Sequence, residues 1–327
     1  MLTAVLDDDP TGTQSATDAV VLLRWDAAAI ADVLRRERAV YLQTNSRAVP
    51  QAQAVALARR IREDLAAAEA VLGEPILPVL RGDSTLRGHV FAESDVFAGD
   101  TGCVLFVPAF PQGGRTTIGS VHRVVIDGVS TPVGDTEFAR DPVFGYRSSS
   151  LVGYVREKGG RRGIPVPLGL LRASGGDAVT RALLGAGAGD FVVPDVETDA
   201  DIELIKVGLL AARQARRDIV VRCAATLAAA CAGRLSTGYL PRPLVPPRPG
   251  LAVVCGSHTA AATAQLAALT DRLGLAPAVI STDDALADPA AAGTRAAPVL
   301  RAALASHGIA IVSSERDRRA QDGKSRE

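Results

Sequence analysis

Three consecutive aspartates, Asp7, Asp8 and Asp9, follow the short apolar run "LTAVL". Carboxylates this close repel, so a metal, a basic side chain or hydroxyl donors must offset them. The next residues, Pro10-Thr11-Gly12, are also good turn chemistry, which leaves a plain turn with a helix cap open. A second cluster, "RGDSTLRGH" at 81–89, crowds Arg81, Gly82, Asp83, Ser84, Arg87 and His89 into one loop after another apolar run. Guanidiniums beside a carboxylate and hydroxyls suit a bidentate grip on a substrate carboxylate or phosphate. They could equally neutralise the first aspartates, or pair among themselves. "TNSRAV" at 44–49 places Arg47 after a third run, and "PAFPQGGRTT" at 108–117 places Gly113, Gly114 and Arg115 after a fourth. Glycines there let backbone N–H groups approach an anion. Far along the chain, "CGSHT" at 255–259 joins a strand to a helix, so Ser257 either contacts a phosphate or belongs to an ordinary helix cap.

The elements that must position these loops alternate. The patterning predicts strands at "LTAVL", "AVYLQT", "ILPVL" and "CVLFVPA", with helices over 27–37 and 50–71. This rhythm implies an α/β fold, a mostly parallel sheet with helices on both faces. All four charged loops would then leave carboxyl ends of strands, where ligands of such sheets bind. Between Gln112 and about Leu168 the pattern loosens and "HRVVIDGVSTPV" reads as a hairpin, so this stretch is expected to be an insertion or a lid. Regularity returns with the strands "DFVVPDV" and "DIVVRC" around a helix from about Thr198.

Five prolines within residues 240–250 mark a stiff linker. The expected organisation is a domain over 1–240, a linker over 241–250, a smaller partial α/β domain over 251–314 and a disordered tail over 315–327. The second domain is expected to hold three strands and two helices. Formal net charge is zero, which argues against a broad nucleic-acid or membrane footprint. No apolar run is long enough to span a bilayer. The four cysteines, Cys103, Cys223, Cys231 and Cys255, form no C-x-x-C pair and read as buried free thiols of a reducing, cytoplasmic setting. There is no G-x-x-x-x-G-K-[ST] phosphate loop.

Taken together, "DDDPTG", "TNSR", "RGDSTLRGH", "PAFPQGGRTT" and "GSHT" resemble the motifs of the four-carbon acid sugar kinase family, over nearly the whole chain. The resemblance implies ATP-dependent phosphorylation of small sugar acids such as threonate or erythronate, with Mg²⁺ accompanying the ATP. It implies a substrate-binding N-terminal domain and a nucleotide-binding C-terminal domain. The implied substrate contacts are Asp9, Arg47, Arg81, Gly82, Asp83 and Ser84, with Asp8 and Arg115 in the same loops, and Ser257 is the implied ATP contact. Either Asp9 or Asp83 would be the general base. Where many relatives carry Lys in the third motif, this chain has Arg81. The family also continues past "IVSS" into a glycine-rich ATP loop. The expectation is therefore a weak or inactive kinase, a sugar-acid binding protein, or one part of a split kinase completed by a C-terminal half. Homo-oligomerisation is compatible with each.

Overall fold

The computed structural model of the chain describes residues 1–215, 218–236, 238–239 and 250–316. A strand that is apolar at successive positions, rather than at alternate ones, suits the middle of a parallel sheet covered on both faces. β1 (Leu2–Asp7) is close to such a strand, with Thr3 and Asp7 as its polar residues, and is buried along its whole length. It is followed by β2 (Val21–Leu22), α1 (Ala27–Glu37), β3 (Ala39–Gln43), α2 (Gln51–Leu72) and β4 (Ile76–Arg81). α1 starts where Asp26 accepts a hydrogen bond from the Ala29 amide. α2 stops at Gly73, which takes the left-handed conformation of a helix C-terminus.

Then come α3 (Val90–Ala98) and β5 (Cys103–Val107). An antiparallel three-stranded sheet follows, made of β6 (Arg115–Ile118), β7 (Val121–Ile126) and β8 (Val129–Pro132). The chain continues through α4 (Leu151–Gly159), β9 (Gly163–Val166), α5 (Leu168–Ala173), α6 (Asp177–Gly185), β10 (Phe191–Pro194), α7 (Asp199–Ala215), β11 (Ile219–Cys223) and α8 (Ala225–Cys231). The main sheet runs β2-β3-β1-β4-β11-β5-β10-β9, and every described pairing in it is parallel.

Side chains of β1 alternate between two cores. Leu2, Ala4 and Leu6 pack with Ile30 and Leu34 of α1 and Ile61 and Leu65 of α2. Val5 joins Leu77, Val79 and Val221 against Ile205 and Leu209 of α7 and Leu227 of α8. A third cluster lies where Leu80, Val104, Phe106 and Phe191 meet Tyr146, Leu151 and Tyr154. β1 pairs with β3 on one side and β4 on the other. The connections thus run outward in one direction and then cross back, which makes β1 a topological switch point with a crevice beyond its carboxyl end. Asp7, Asp8 and Asp9 are the residues at that point.

The stretch 112–168 differs from its expectation. It is not wholly outside the main sheet, because β9 forms the sheet edge beside β10 and α4 precedes it. The antiparallel sheet is also docked rather than free. Thr117 and Val196 exchange both backbone hydrogen bonds at 2.8 Å. The Asp195 carboxylate accepts from the amides of Gly119 (2.9 Å) and Ser120 (2.8 Å) in the β6–β7 turn.

The described contacts divide the chain into two units, Met1–Gly238 and Tyr239–Glu327. The second holds β12 (Leu251–Cys255), α9 (Ala260–Leu273), β13 (Ala278–Ile280), α10 (Thr282–Ala287), α11 (Pro289–His307) and β14 (Ile309–Ser314). Its parallel sheet has the order β12-β14-β13. It contains one helix more than expected, because the short α10 is set off by Asp288, which caps α11. Val254, Val279, Leu286 and Val299 of this unit are exposed. Linker residues 241–249 and tail residues 317–327 lie outside the described residues. Cys103, Cys223 and Cys231 are buried free thiols, whereas Cys255 is only partly covered. No described helix is long and apolar enough to cross a membrane.

Candidate functional site

Parallel strands β1, β3, β4 and β5 deliver the four charged loops to one edge of the main sheet. Asp7 and Asp8 are almost fully buried, and Asp9 is partly exposed. Their compensation is arginine. Arg81 Nη1 lies 3.0 Å from Asp7 Oδ1 and 2.9 Å from Asp9 Oδ1. Arg47 reaches Asp8 Oδ1 at 2.5 Å and Asp9 Oδ2 at 2.6 Å. Arg222 of β11 lies 3.6 Å from Asp8 Oδ2 and 2.6 Å from Glu93 Oε2 of α3. One oxygen from each of the three aspartates falls within 4.8 Å of the others, a spacing that would suit a cation. Three guanidiniums already sit against these carboxylates and offset most of their charge.

Arg222 and Glu93 join this charged cluster and are residues that sequence reasoning missed. Arg222 stands in the run "IVVRC", where a charge in an otherwise apolar buried strand is the signal. Its importance follows from topology. β11 inserts between β4 and β5, which puts Arg222 directly behind the aspartates.

Burial dominates the Asp7 carboxyl and raises it to about 7, against the attraction of Arg81 and with repulsion from Asp8 and Asp9. Burial also raises Asp8, opposed by Arg47 and Arg222. In Asp9 burial is outweighed by Arg47, Thr11 and Arg81, which hold its carboxyl below the usual range. Asp9 Oδ1 accepts from the Thr11 amide at 2.7 Å and the Thr11 hydroxyl at 2.5 Å. Gly12 is required here, since a Cβ at that position would fall on the Asp7 carboxylate.

The loop after β4 is pinned at several points. The Gly82 amide donates to the Cys223 carbonyl at 2.8 Å. His89 Nε2 lies 2.9 Å from the Val49 carbonyl, linking this loop to the one bearing Arg47. Asp83 is strongly desolvated, yet Arg47, Arg87 and Thr85 hold its carboxyl far below the usual range. The described hydrogen bonds to Asp83 come from Thr85 Oγ1 and Arg87 Nε (2.7 Å), and both fall on Oδ2. The described bonds of Ser84 involve its backbone carbonyl and leave its hydroxyl uncommitted.

Arg115, at the start of β6, differs from Arg47 and Arg81. Its Nη1 donates to the Gly113 carbonyl, and its guanidinium lies over the Phe110 ring at 5.9 Å. Its Nε is buried without a partner among the described residues, and it makes no described ion pair. Burial lowers it, while the Asp83 charge acts in the opposite direction. Arg81 is the reverse case. It is 3% exposed and committed to the aspartates, so it serves the neutralising role that the sequence left open.

In the second unit, Ser257 sits between β12 and α9, with its Oγ 3.3 Å from Thr259 Oγ1. Thr259 caps α9. Arg316 donates to the Ser257 carbonyl and to Thr263 Oγ1 at 2.8 Å. A side chain at Gly256 would meet nothing, so the loop backbone is open to approach.

Comparison with known proteins adds three findings. The family described as the sugar-binding N-terminal domain matches residues 3–231. A D-threonate kinase of Cupriavidus necator is 32% identical over 208 residues, 61% of this chain and 46% of the relative. The chain therefore matches about half the length of that curated relative. Among solved structures, a Salmonella typhimurium protein titled a putative tRNA synthase superposes with a TM-score of 0.58 at 20% identity, covering 97% of this chain and 75% of that one. A Bordetella bronchiseptica domain of unknown function, solved as a domain-swapped dimer with bound citrate, gives a TM-score of 0.52 at 24% identity, covering 99% and 75%. These two show a shared fold.

Proposed function

Since the chain belongs to the four-carbon acid sugar kinase family through its sugar-binding N-terminal domain, we propose that the crevice beyond β1 binds a four-carbon sugar acid for phosphorylation by ATP. The observation that carries this reading is the division of labour among the arginines. Arg47, Arg81 and Arg222 are consumed in neutralising Asp7, Asp8, Asp9 and Glu93. Arg115 makes no described ion pair, its Nη1 is held by the Gly113 carbonyl, and the Asp83 charge acts on it. A planar, always-charged fork without an internal carboxylate suits a ligand carboxylate.

On this reading Arg115 holds the acid group of the substrate, and Asp9, Asp83 and Ser84 contact its hydroxyls. We assign to Asp83 the hydrogen bond from the attacking hydroxyl, because its described hydrogen bonds leave Oδ1 without a partner. Its low proton affinity makes it an orienting acceptor more than a strong base, which suits a reaction catalysed mostly by positioning. Asp9 is less suited, since both its oxygens are already paired. Arg47, Arg81 and Gly82 set the shape and charge of the crevice wall.

ATP, bound with Mg²⁺, would supply the phosphoryl group. The donors of the second unit suit a phosphate: the Ser257 hydroxyl, the open Gly256 backbone, the amino end of the 14-residue α9, and Arg316. The test is product formation by mass spectrometry with ATP, Mg²⁺ and a panel of four-carbon acids, in parent chain and Asp83→Asn. A phosphorylated acid that depends on Asp83 supports the reading. Turnover unchanged in the variant removes Asp83 from it, and a panel without product in the parent removes phosphoryl transfer by this chain alone.

A further inference from the structure

Three successive carbonyls of the loop after β4 each accept a hydrogen bond from a different buried side chain of the 112–168 stretch. His122 Nε2 lies 2.8 Å from the Ser84 carbonyl. The Tyr146 hydroxyl donates to the Thr85 carbonyl at 2.7 Å, and the Tyr154 hydroxyl to the Leu86 carbonyl at 2.9 Å. All three donors are 5% exposed or less. They come from β7, from the segment before α4, and from α4 itself.

The conformation they hold does not form readily by itself. Leu86 has φ of +68°, in the left-handed region that a branched, buried side chain rarely enters. Such a residue persists where its surroundings over-determine it. Here the surroundings are Tyr146 and Tyr154, which pack with Leu86 in one core and bond the carbonyls on either side of its Cα. Arg87 extends the same support, with its guanidinium 5.1 Å above the Phe138 ring.

His122 is fixed in one tautomer. A carbonyl can only accept, so Nε2 carries the proton, and Nδ1 takes the Thr117 hydroxyl hydrogen at 2.9 Å. Burial lowers this imidazole to about 4, which keeps it neutral. The platform behind the three donors is itself tied down. Asp195 holds the β6–β7 turn and Thr117 pairs with Val196.

We propose that His122, Tyr146 and Tyr154 are positioning residues that fix the 84–86 backbone, and through it the Asp83 carboxylate and Ser84 hydroxyl, for the sugar acid. The 112–168 stretch is thus a rigid brace for the loop and not a lid that opens. This rests on the reading of the crevice as a sugar-acid site. The donors touch carbonyls only, so they act through Asp83 and Ser84.

The test uses the full chain with Tyr146→Phe/Tyr154→Phe together, His122→Leu, and His122→Gln, whose amide can still donate toward Ser84. Calorimetry with D-threonate is paired with hydrogen exchange of residues 83–88 and of β7. The double variant and His122→Leu should bind at least tenfold more weakly, and exchange should quicken at 83–88 while β7 stays protected. His122→Gln should recover affinity to within about threefold of the parent. If D-threonate binds the parent and all variants within twofold, the positioning role is overturned. If D-threonate does not bind the parent, the sugar-acid reading fails, and exchange then decides the brace: loop-selective loss supports it, and unchanged protection at 83–88 overturns it.

Discussion

Asp7→Asn isolates the energetic consequence of burying three carboxylates at the end of one strand. Asp7 is 1% exposed, and its carboxyl is raised from 3.8 to about 7 in the folded chain. Between those values the folded state keeps the proton and the unfolded state releases it, so stability falls as pH rises through this window. A displacement of about three pH units corresponds to about 4 kcal/mol of destabilisation above pH 7. Asparagine cannot ionise, yet it still offers Arg81 an oxygen where Asp7 Oδ1 now accepts at 3.0 Å. Its amide nitrogen would fall where Asp7 Oδ2 lacks a partner, at a fixed cost of about 1–3 kcal/mol. That cost is the same at every pH and cancels in a comparison across pH. Urea unfolding of parent and variant should therefore show the variant gaining about 3 kcal/mol relative to the parent between pH 4.5 and pH 8. A constant offset, or one that moves against the variant as pH rises, would refute the argument that burial outweighs Arg81 at this carboxyl.

Two further substitutions probe the same cluster. Gly12→Ala should destabilise the fold by about 1–3 kcal/mol, read as a lower urea midpoint, because its methyl falls on the Asp7 carboxylate. Arg222→Leu strands Glu93 and part of Asp8 in the core and should cost about 3–5 kcal/mol; Arg222→Leu/Glu93→Leu together should recover much of that loss in the same unfolding assay.

Much of the fold could be read from the sequence because its central strands are buried on both faces, and largely apolar runs such as "LTAVL" and "CVLFV" have few other uses. The elements that escaped are those whose character is set by distant neighbours. β9 reads "GIPV", with a glycine and a proline, and is a strand because it lies at the sheet edge against β10. β2 is two residues long and exists only by pairing with β3. That Asp7, Asp8, Asp9 and Arg47 could meet was legible because charge followed apolar runs. Arg222 was not, since its partners lie 129 and more positions away in sequence and meet it only when β11 enters between β4 and β5. The same limit hid the bonds from His122, Tyr146 and Tyr154 to the loop after β4.

The central claim is that the crevice beyond β1 recognises a small acid through Arg115. The most direct measurement is calorimetric titration of parent and Arg115→Ala with D-threonate and with threitol, the neutral polyol of the same length. The parent should bind the acid in clear preference to threitol. Loss of a charge-assisted contact worth roughly 1.5–3 kcal/mol should weaken the acid by about 10- to 150-fold in Arg115→Ala and leave threitol unchanged. Equal binding of the acid by parent and variant, or no preference for the acid over threitol in the parent, would contradict the account.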